Sequence, residues 1–200
     1  NAQISGRRLA AILSADMVGF SRLMQLDEAG TVAAHARSRD TIRERVEHHT
    51  GRVVHTAGDS LLAEFGSAIS AVQCAVDIQK TLQTDNAAWP DAPHVLWRIG
   101  VNLGDITYTG NDIHGNGVNL AARIQVLAEP GGICISDLVY SQVKNAVNLP
   151  FVFTGRHKVK NIAEAVPVYR VGLEASGRPE WLSRILAPRR IAHGIGVVAL

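Results

Sequence analysis

Apolar positions along this chain fall into short runs separated by helical stripes, and their order predicts a mixed α and β domain. The run LAAILS at residues 9–14 reads as a buried strand, with Asp16 just past its end before the break MVGFS. Ser21 or Asp27 is positioned to cap the helical material that follows. There Val32, Ile42 and Val46 form a narrow apolar stripe over 31–49, so most of that helix faces solvent. GRVVHTA and SLLAEF are strand-like runs separated only by Gly58-Asp59. A two-residue connection with glycine first predicts a type II′ hairpin that presents Asp59 at its tip.

Farther on, Ile69, Val72, Ala75, Val76 and Leu82 recur at helical spacing over 67–82, and turn formers over 86–93 predict a loop. VLWRIGVNLG and DITYTG read as a second pair of strands, and 118–128 as a helix stopped by Glu129-Pro130-Gly131-Gly132. GICIS is a short buried strand, 137–143 a helix capped by Ser136 or Asp137, and VPVYRVG a late strand. This order predicts an antiparallel-rich α+β sheet with helices on one face, in preference to a doubly wound parallel sheet.

Composition narrows the function classes. The 200 residues, 46% hydrophobic and 19% charged, suffice for one domain with a real core and exclude disorder or a fibrous chain. A formal net charge of +2 with scattered basic residues excludes a nucleic-acid surface, so an anionic partner needs a local site. Cys74 and Cys134 sit in AVQCAVDI and GGICIS without ligand-like spacing, which predicts buried reduced thiols in a cytoplasmic domain. The chain opens on Asn1 with nothing resembling a signal peptide and reads as a piece of a longer protein. Its last apolar run, 191–200, follows Arg184, Arg189 and Arg190. That run is short of the roughly 20 residues of a span. It either begins a membrane anchor, with the domain on the cytoplasmic face of an inner membrane, or is a short amphipathic or disordered tail.

Three clusters carry candidate chemistry. Asp16 and Asp59 lie side by side if the first strand pairs next to the hairpin, and neighbouring carboxylates suit Mg²⁺ or Mn²⁺; the alternative is a pair of ordinary turn formers. Backbone N–H groups over 18–21, around Gly19, either face an anion held by that metal or form a plain capped turn. In NDIHGNGVNLAARIQ, Asn119 and Arg123 share a helix face and Asp112 precedes them across a glycine-containing turn. These offer a ligand an acceptor, an amide and a guanidinium, or they form a cap and an ion pair. RHKVKN, with Arg156, Lys158 and Lys160, is either a solvated edge strand guarded by lysines or a phosphate contact.

SADMVGFSRLM, HTAGDSLLAEF, RIGVNLGD, DIHGNGVNLAARIQ and KVKNIAEAVPVYRV together resemble the class III adenylyl and guanylyl cyclase catalytic domain, particularly bacterial stand-alone members, over about 8–171. The resemblance implies a ferredoxin-like nucleotidyl cyclase fold over 8–172 and a head-to-tail homodimer with shared active sites. Residues 173–200 would then be a linker or tail, leading to a membrane segment or a further domain. It implies that Asp16 and Asp59 hold two Mg²⁺ or Mn²⁺ ions per site, with the Met17 carbonyl completing one; a triphosphate held there would suit the backbone cradle read above, with Gly19, Phe20 and Ser21 as its substrate-binding candidates. Asp112 would read the purine, Asn119 orient the ribose, and Arg123 stabilise charge on the α-phosphate in the transition state. Lys160 would grip the terminal phosphates, with Lys158 as the alternative. His55 stands where the family carries a lysine that reads the adenine ring.

The implied reaction is attack of the ribose 3′ oxygen of ATP on its α-phosphate, giving 3′,5′-cyclic AMP and pyrophosphate. The rival readings are an inactive nucleotide-binding dimerisation module that regulates an attached domain, and a guanylate cyclase. A diguanylate cyclase would need adjacent acids where this chain has AGDSLLAEF, and an RNA-binding ferredoxin-like domain would need aromatics on its central strands. A carboxylate at Asp112 accepts from the adenine N6 amine and opposes guanine O6, which favours ATP. A neutral imidazole at His55 offers one donor where an ammonium offers three, so selectivity should be loose.

Overall fold

The computed structural model describes residues 4–159 and 164–173. In chain order its elements are β1 (Ile4–Met17), α1 (Phe20–Leu26), α2 (Glu28–His48), β2 (Arg52–Ala57), β3 (Ser60–Phe65), α3 (Ala68–Ala88) and β4 (Trp97–Thr109). They continue with β5 (Asp112–His114), α4 (Asn116–Val126), β6 (Ile133–Ser136), α5 (Asp137–Val143), β7 (Phe151–His157) and β8 (Val166–Val171). One sheet runs β2-β3-β1-β4-β6-β8-β7, with β5 paired to β4. The part β1-α2-β2-β3-α3-β4, with strands ordered β4-β1-β3-β2, is the ferredoxin-like arrangement.

Alternation along the strands decides which face each residue serves. Ala11, Leu13, Ala15 and Met17 of β1 join Leu61, Ala63, Phe65, Trp97, Ile99 and Val101 in the main core, roofed by α2, α3 and α5. Ala10 and Ile12 point the other way and meet Ile106, Ile113 and Ala121 under α4. Helices therefore cover both faces, where the sequence pattern predicted one. The pairing of β4 with β6 is parallel, which demands a crossover, and α4 supplies it on the second face.

Glycines set how closely α4 sits on the sheet. A Cβ at Gly100 would lie 2.3 Å from the backbone N of Gln125, and one at Gly104 would lie 2.9 Å from the Cα of Gly117. Helix backbone rests directly on strand backbone there.

Several boundaries differ from the pattern. β1 runs on through Asp16, because β3 and β4 both pair with it to that point. The expected strand pair VLWRIGVNLG and DITYTG is the single strand β4, and the turn falls at Gly110 (φ 63°) before β5. The Gly58-Asp59 hairpin forms as expected: Gly58 has φ 56° and Asp59 is absent from the positive-φ residues, as a II′ turn requires. α1 is capped by Gly19 rather than Ser21, while Asp27 caps α2 by accepting from Gly30 N–H at 2.9 Å. The buried seam of α2 is Thr31, Ala34, Ser38, Ile42 and Val46, with Val32 left 51% exposed. α3 continues to Ala88 through the expected loop start, because the Asn86 side chain pairs with both backbone groups of Val95 at 2.9 and 3.1 Å. α4 begins at Asn116 and ends at Val126, two residues earlier at each end than the pattern indicated. Ser136 caps α5. Burial raises the Cys74 thiol to about 12 and that of Cys134 to about 11, so both are protonated and unreactive at neutral pH. Among the described residues no helix is long and apolar enough to cross a membrane, and 191–200 lies outside them.

Candidate active site

Strand pairing brings the first two acids together. Asp16, near the end of β1, sits between Ser60 of β3 and Arg98 of β4. Asp59 immediately precedes β3, and its carbonyl accepts the Met17 N–H at 2.9 Å. Burial pushes the Asp16 carboxyl above its ordinary value and the charge of Asp59 pushes it further, against the pull of the Arg98 guanidinium. Two crowded carboxylates with one cation leave a local negative excess that a divalent ion neutralises. Among the described residues no group of three or more His, Cys, Asp or Glu gathers. The pair nevertheless fits Mg²⁺ or Mn²⁺, which take one or two carboxylates and complete their shell with carbonyl, water and phosphate oxygens.

Arg98 was not singled out from the sequence, although a signal was there. In WRIGVN the apolar Trp97, Ile99 and Val101 are buried in the main core, which sends Arg98 to the face that carries Asp16. Its Nε is buried without a hydrogen-bond partner. A guanidinium with an unused donor beside two crowded acids is a candidate partner for an anion that a metal ion held by those acids would bring.

The turn after β1 is tighter than the expected anion cradle. Val18 N–H is committed to the Leu96 carbonyl at 2.7 Å, so the available backbone donors begin at Gly19, with Phe20 and Ser21 opening α1. Gly19 adopts φ 70°, and no side chain caps the helix. The Phe20 ring lies 5.1 Å from that of His35, which stacks on Trp97 at 5.8 Å. Trp97 Nε1 donates to Ser38 Oγ at 3.1 Å, anchoring this stack in α2. Burial, reinforced by Arg39, lowers the His35 pKa against the opposing charge of Asp59, so the imidazole is neutral at pH 7.

The purine-reading candidates converge on another part of the same sheet. Asp112 opens β5 opposite Thr109, and its Oδ1 accepts from Ile113 N–H at 2.9 Å. Arg52 Nη1 donates to the Asn111 carbonyl at 3.0 Å, which ties this turn to β2, the strand of His55. His55 is exposed opposite Leu62. On α4 the buried residues are Gly117, Ala121, Ile124 and Gln125, while Asn119 is exposed and Arg123 half-buried on the side away from the sheet. Among the described residues no hydrogen bond or ion pair links Asp112, Asn119 or Arg123 to Asp16 or Asp59. Arg156 is exposed in β7, an edge strand, and Lys158 is exposed just beyond it. Lys160 lies outside the described residues.

A sequence profile of the adenylate and guanylate cyclase catalytic domain matches residues 5–170. The chain belongs to that family. This cyclase domain is 46% identical over 164 residues to a Rhizobium meliloti protein named "Putative adenylate cyclase 3", covering 82% of the chain and 28% of that relative. It is 29% identical to an adenylate cyclase of Streptomyces coelicolor, covering 96% of the chain and 47% of that relative. It thus spans less than half the length of either relative. Among solved structures, an adenylate/guanylate cyclase/hydrolase from Silicibacter pomeroyi superposes with a TM-score of 0.77 at 40% identity, covering 83% of this cyclase domain and 97% of that chain. The adenylyl cyclase CyaB from P. aeruginosa shares the fold, with a TM-score of 0.76 at 23% identity over 84% of this chain and 95% of that one.

Proposed function

We propose that this cyclase domain converts ATP into 3′,5′-cyclic AMP and pyrophosphate in a homodimer whose two chains share each active site. The observation that carries this is the Asp16–Asp59 pair with Arg98 beside it, a charge arrangement that suits a divalent cation and the phosphates it would bring. Two Mg²⁺ or Mn²⁺ ions bound there would stabilise phosphate charge and lower the pKa of the ribose 3′ hydroxyl. Asp16 and Asp59 hold that site, with the Met17 carbonyl as a further ligand. Gly19, Phe20, Ser21 and Arg98 face the triphosphate, and the family resemblance assigns its terminal phosphates to Lys160, which lies outside the described residues. Asn119 holds the ribose in line. Arg123 takes up the charge that develops on the α-phosphate as the 3′ oxygen attacks, the hydroxyl proton is lost and pyrophosphate leaves.

The outward face of α4 supports a shared site, because Asn119 and Arg123 are turned away from the sheet that holds their own chain's acids. Asp112 and His55, tied to one region through Arg52, read the purine: the carboxylate accepts from the N6 amine and the imidazole donates to N1. The names of the curated relatives favour ATP, and His55 in place of a lysine argues for loose discrimination against GTP.

Incubating the purified protein with Mn²⁺ and either ATP or GTP, and measuring cyclic product and pyrophosphate, tests the activity. Faster turnover of ATP is expected; no cyclic product from either nucleotide would leave only the regulatory-module reading. Mixing inactive Asp59→Ala with inactive Arg123→Ala tests the sharing. Activity should return in the mixed dimers, and its absence despite subunit exchange seen by native mass spectrometry would refute shared sites.

A further inference from the structure

Beyond Ile106, β4 pairs with β5 on one side and, after a register shift, with Ser5 and Ile4 of β1 on the other, so the turn that carries Asp112 closes the end of a three-stranded segment. Strand pairing ends at Thr109 and Asp112, and the two residues of the turn between them have a further restraint from side chains of other strands. That restraint is a buried carboxylate. Glu64 of β3 is 5% exposed. Its Oε1 accepts from Arg52 Nε at 2.8 Å, and its Oε2 accepts from Tyr108 Oη at 2.8 Å and pairs with Arg8 Nη2 at 3.0 Å. Arg8 Nε also donates to Tyr108 Oη at 2.6 Å, and the Arg8 and Arg52 guanidinium carbons lie 5.3 and 5.8 Å from the centre of the Tyr108 ring. Burial alone would raise the Glu64 carboxyl, but the hydrogen bonds from Arg52, Tyr108 and Arg8 more than offset this and hold it below its ordinary value.

Arg52 has a second task in this cluster. While Nε engages Glu64, Nη1 reaches the Asn111 carbonyl, one residue before Asp112. The two bonds leave a planar fork at fixed angles, which a lysine ammonium cannot reproduce. On the other side of Asn111, Gly110 turns the chain with φ 63°, and Asp112 Oδ1 is already engaged by Ile113 N–H. The remaining Asp112 oxygen therefore has a direction set by the backbone of this turn.

We infer that Arg52 is a positioning residue for nucleotide selection: through the Asn111 carbonyl it fixes the turn from which Asp112 meets the base. This rests on the assignment of Asp112 as a purine-reading residue. Arg52 does not touch the nucleotide, so it sets discrimination between bases rather than the chemistry at phosphorus.

The test measures kcat/KM for ATP and for GTP with Mn²⁺ in wild type, Asp112→Ala, Arg52→Met, Arg52→Lys and the double variant Asp112→Ala/Arg52→Met. Both nucleotides are assayed on one preparation, so any loss of folded protein cancels in the ratio. Arg52→Met should lower the ATP-over-GTP ratio by roughly three- to tenfold, the size expected for one lost hydrogen bond. Arg52→Lys should lower it too, because charge without the fork does not hold Asn111. In the double variant the ratio should equal that of Asp112→Ala, since one residue acts through the other. Wild-type ratios in both Arg52 variants, full restoration by lysine, or an additive loss in the double variant would overturn the role of Arg52 while Asp112 keeps its own. An unchanged ratio in Asp112→Ala would remove the purine reading and the inference with it.

Discussion

Asp59, in the turn that opens β3, and Glu64, near the far end of that strand, are acids with opposite surroundings. Asp59 is set beside a second carboxylate, Asp16, with a single guanidinium nearby, and burial and repulsion raise the Asp16 carboxyl. Glu64 is more deeply buried, yet two arginines and a tyrosine satisfy it and hold its carboxyl low. The Glu64 cluster has its partners within the chain, so removing one of them would leave a buried charge uncompensated. The Asp16–Asp59 pair has one guanidinium for two carboxylates, and that shortfall of positive charge makes it the candidate place for a metal ion and a nucleotide. Depth of burial does not separate the candidate site's charge from the satisfied one here; completeness of pairing does.

The largest test of this contrast removes one charge from the incomplete pair. Asp16→Asn or Asp59→Asn should reduce cyclase turnover at least about a hundredfold. In metal-free protein the same variants should melt at or above the wild-type temperature, because one of two repelling charges is gone. Retained turnover, or a melting point several degrees lower, would erase the distinction between the two acids.

Glu64→Gln should do the reverse. It leaves two guanidinium groups facing a neutral amide, and a loss of about 1–3 kcal/mol is expected from the broken charged hydrogen bonds. The thermal midpoint should fall by roughly 2–10 °C for a chain of this size. A variant as stable as wild type would show that the cluster is not a structural anchor.

The smallest effect is in the pH dependence. The folded-state carboxyl of Glu64 is lowered, so its stabilising contribution is complete above the ordinary carboxylate value and disappears as pH falls through the lowered one. The stability gap between wild type and Glu64→Gln should therefore be widest near neutral pH and narrow on acidification. A gap that widens with acid, followed by denaturant melts at several pH values, would contradict the pairing.

Much of the first site was legible in the sequence because its signals are local. Gly58-Asp59 between two strand-like runs gave the hairpin, and pairing of β1 beside it put Asp16 next to Asp59. What escaped depends on contacts distant along the chain. Gly104-Asp105 resembles a turn but lies inside β4, since the glycine serves a close approach by Gly117 of α4. In SLLAEF, nothing near Glu64 announces that Arg8, Arg52 and Tyr108 will surround it. Thr31 and Ser38 line the seam of α2 although neither is apolar, so the stripe of Val32, Ile42 and Val46 misplaced one edge of that helix. Spacing put Asn119 and Arg123 on one helix face and the family resemblance gave them their roles, yet only the buried set Gly117, Ala121, Ile124 and Gln125 shows that they face outward.

The glycines under α4 give this molecule a manufacturing tolerance. Gly100 and Gly104 are the datum surface from which the height of that helix is gauged, and a methyl group at Gly100 would be a shim wedged 2.3 Å from the Gln125 nitrogen. To clear it the helix must lift by about an ångström, a misplacement of the kind that can cost a reaction about a hundredfold. Because Asn119 and Arg123 ride on the outer side of α4, and serve the other chain's metal site if sites are shared, the error would be machined into one protomer and delivered to the chemistry of its neighbour.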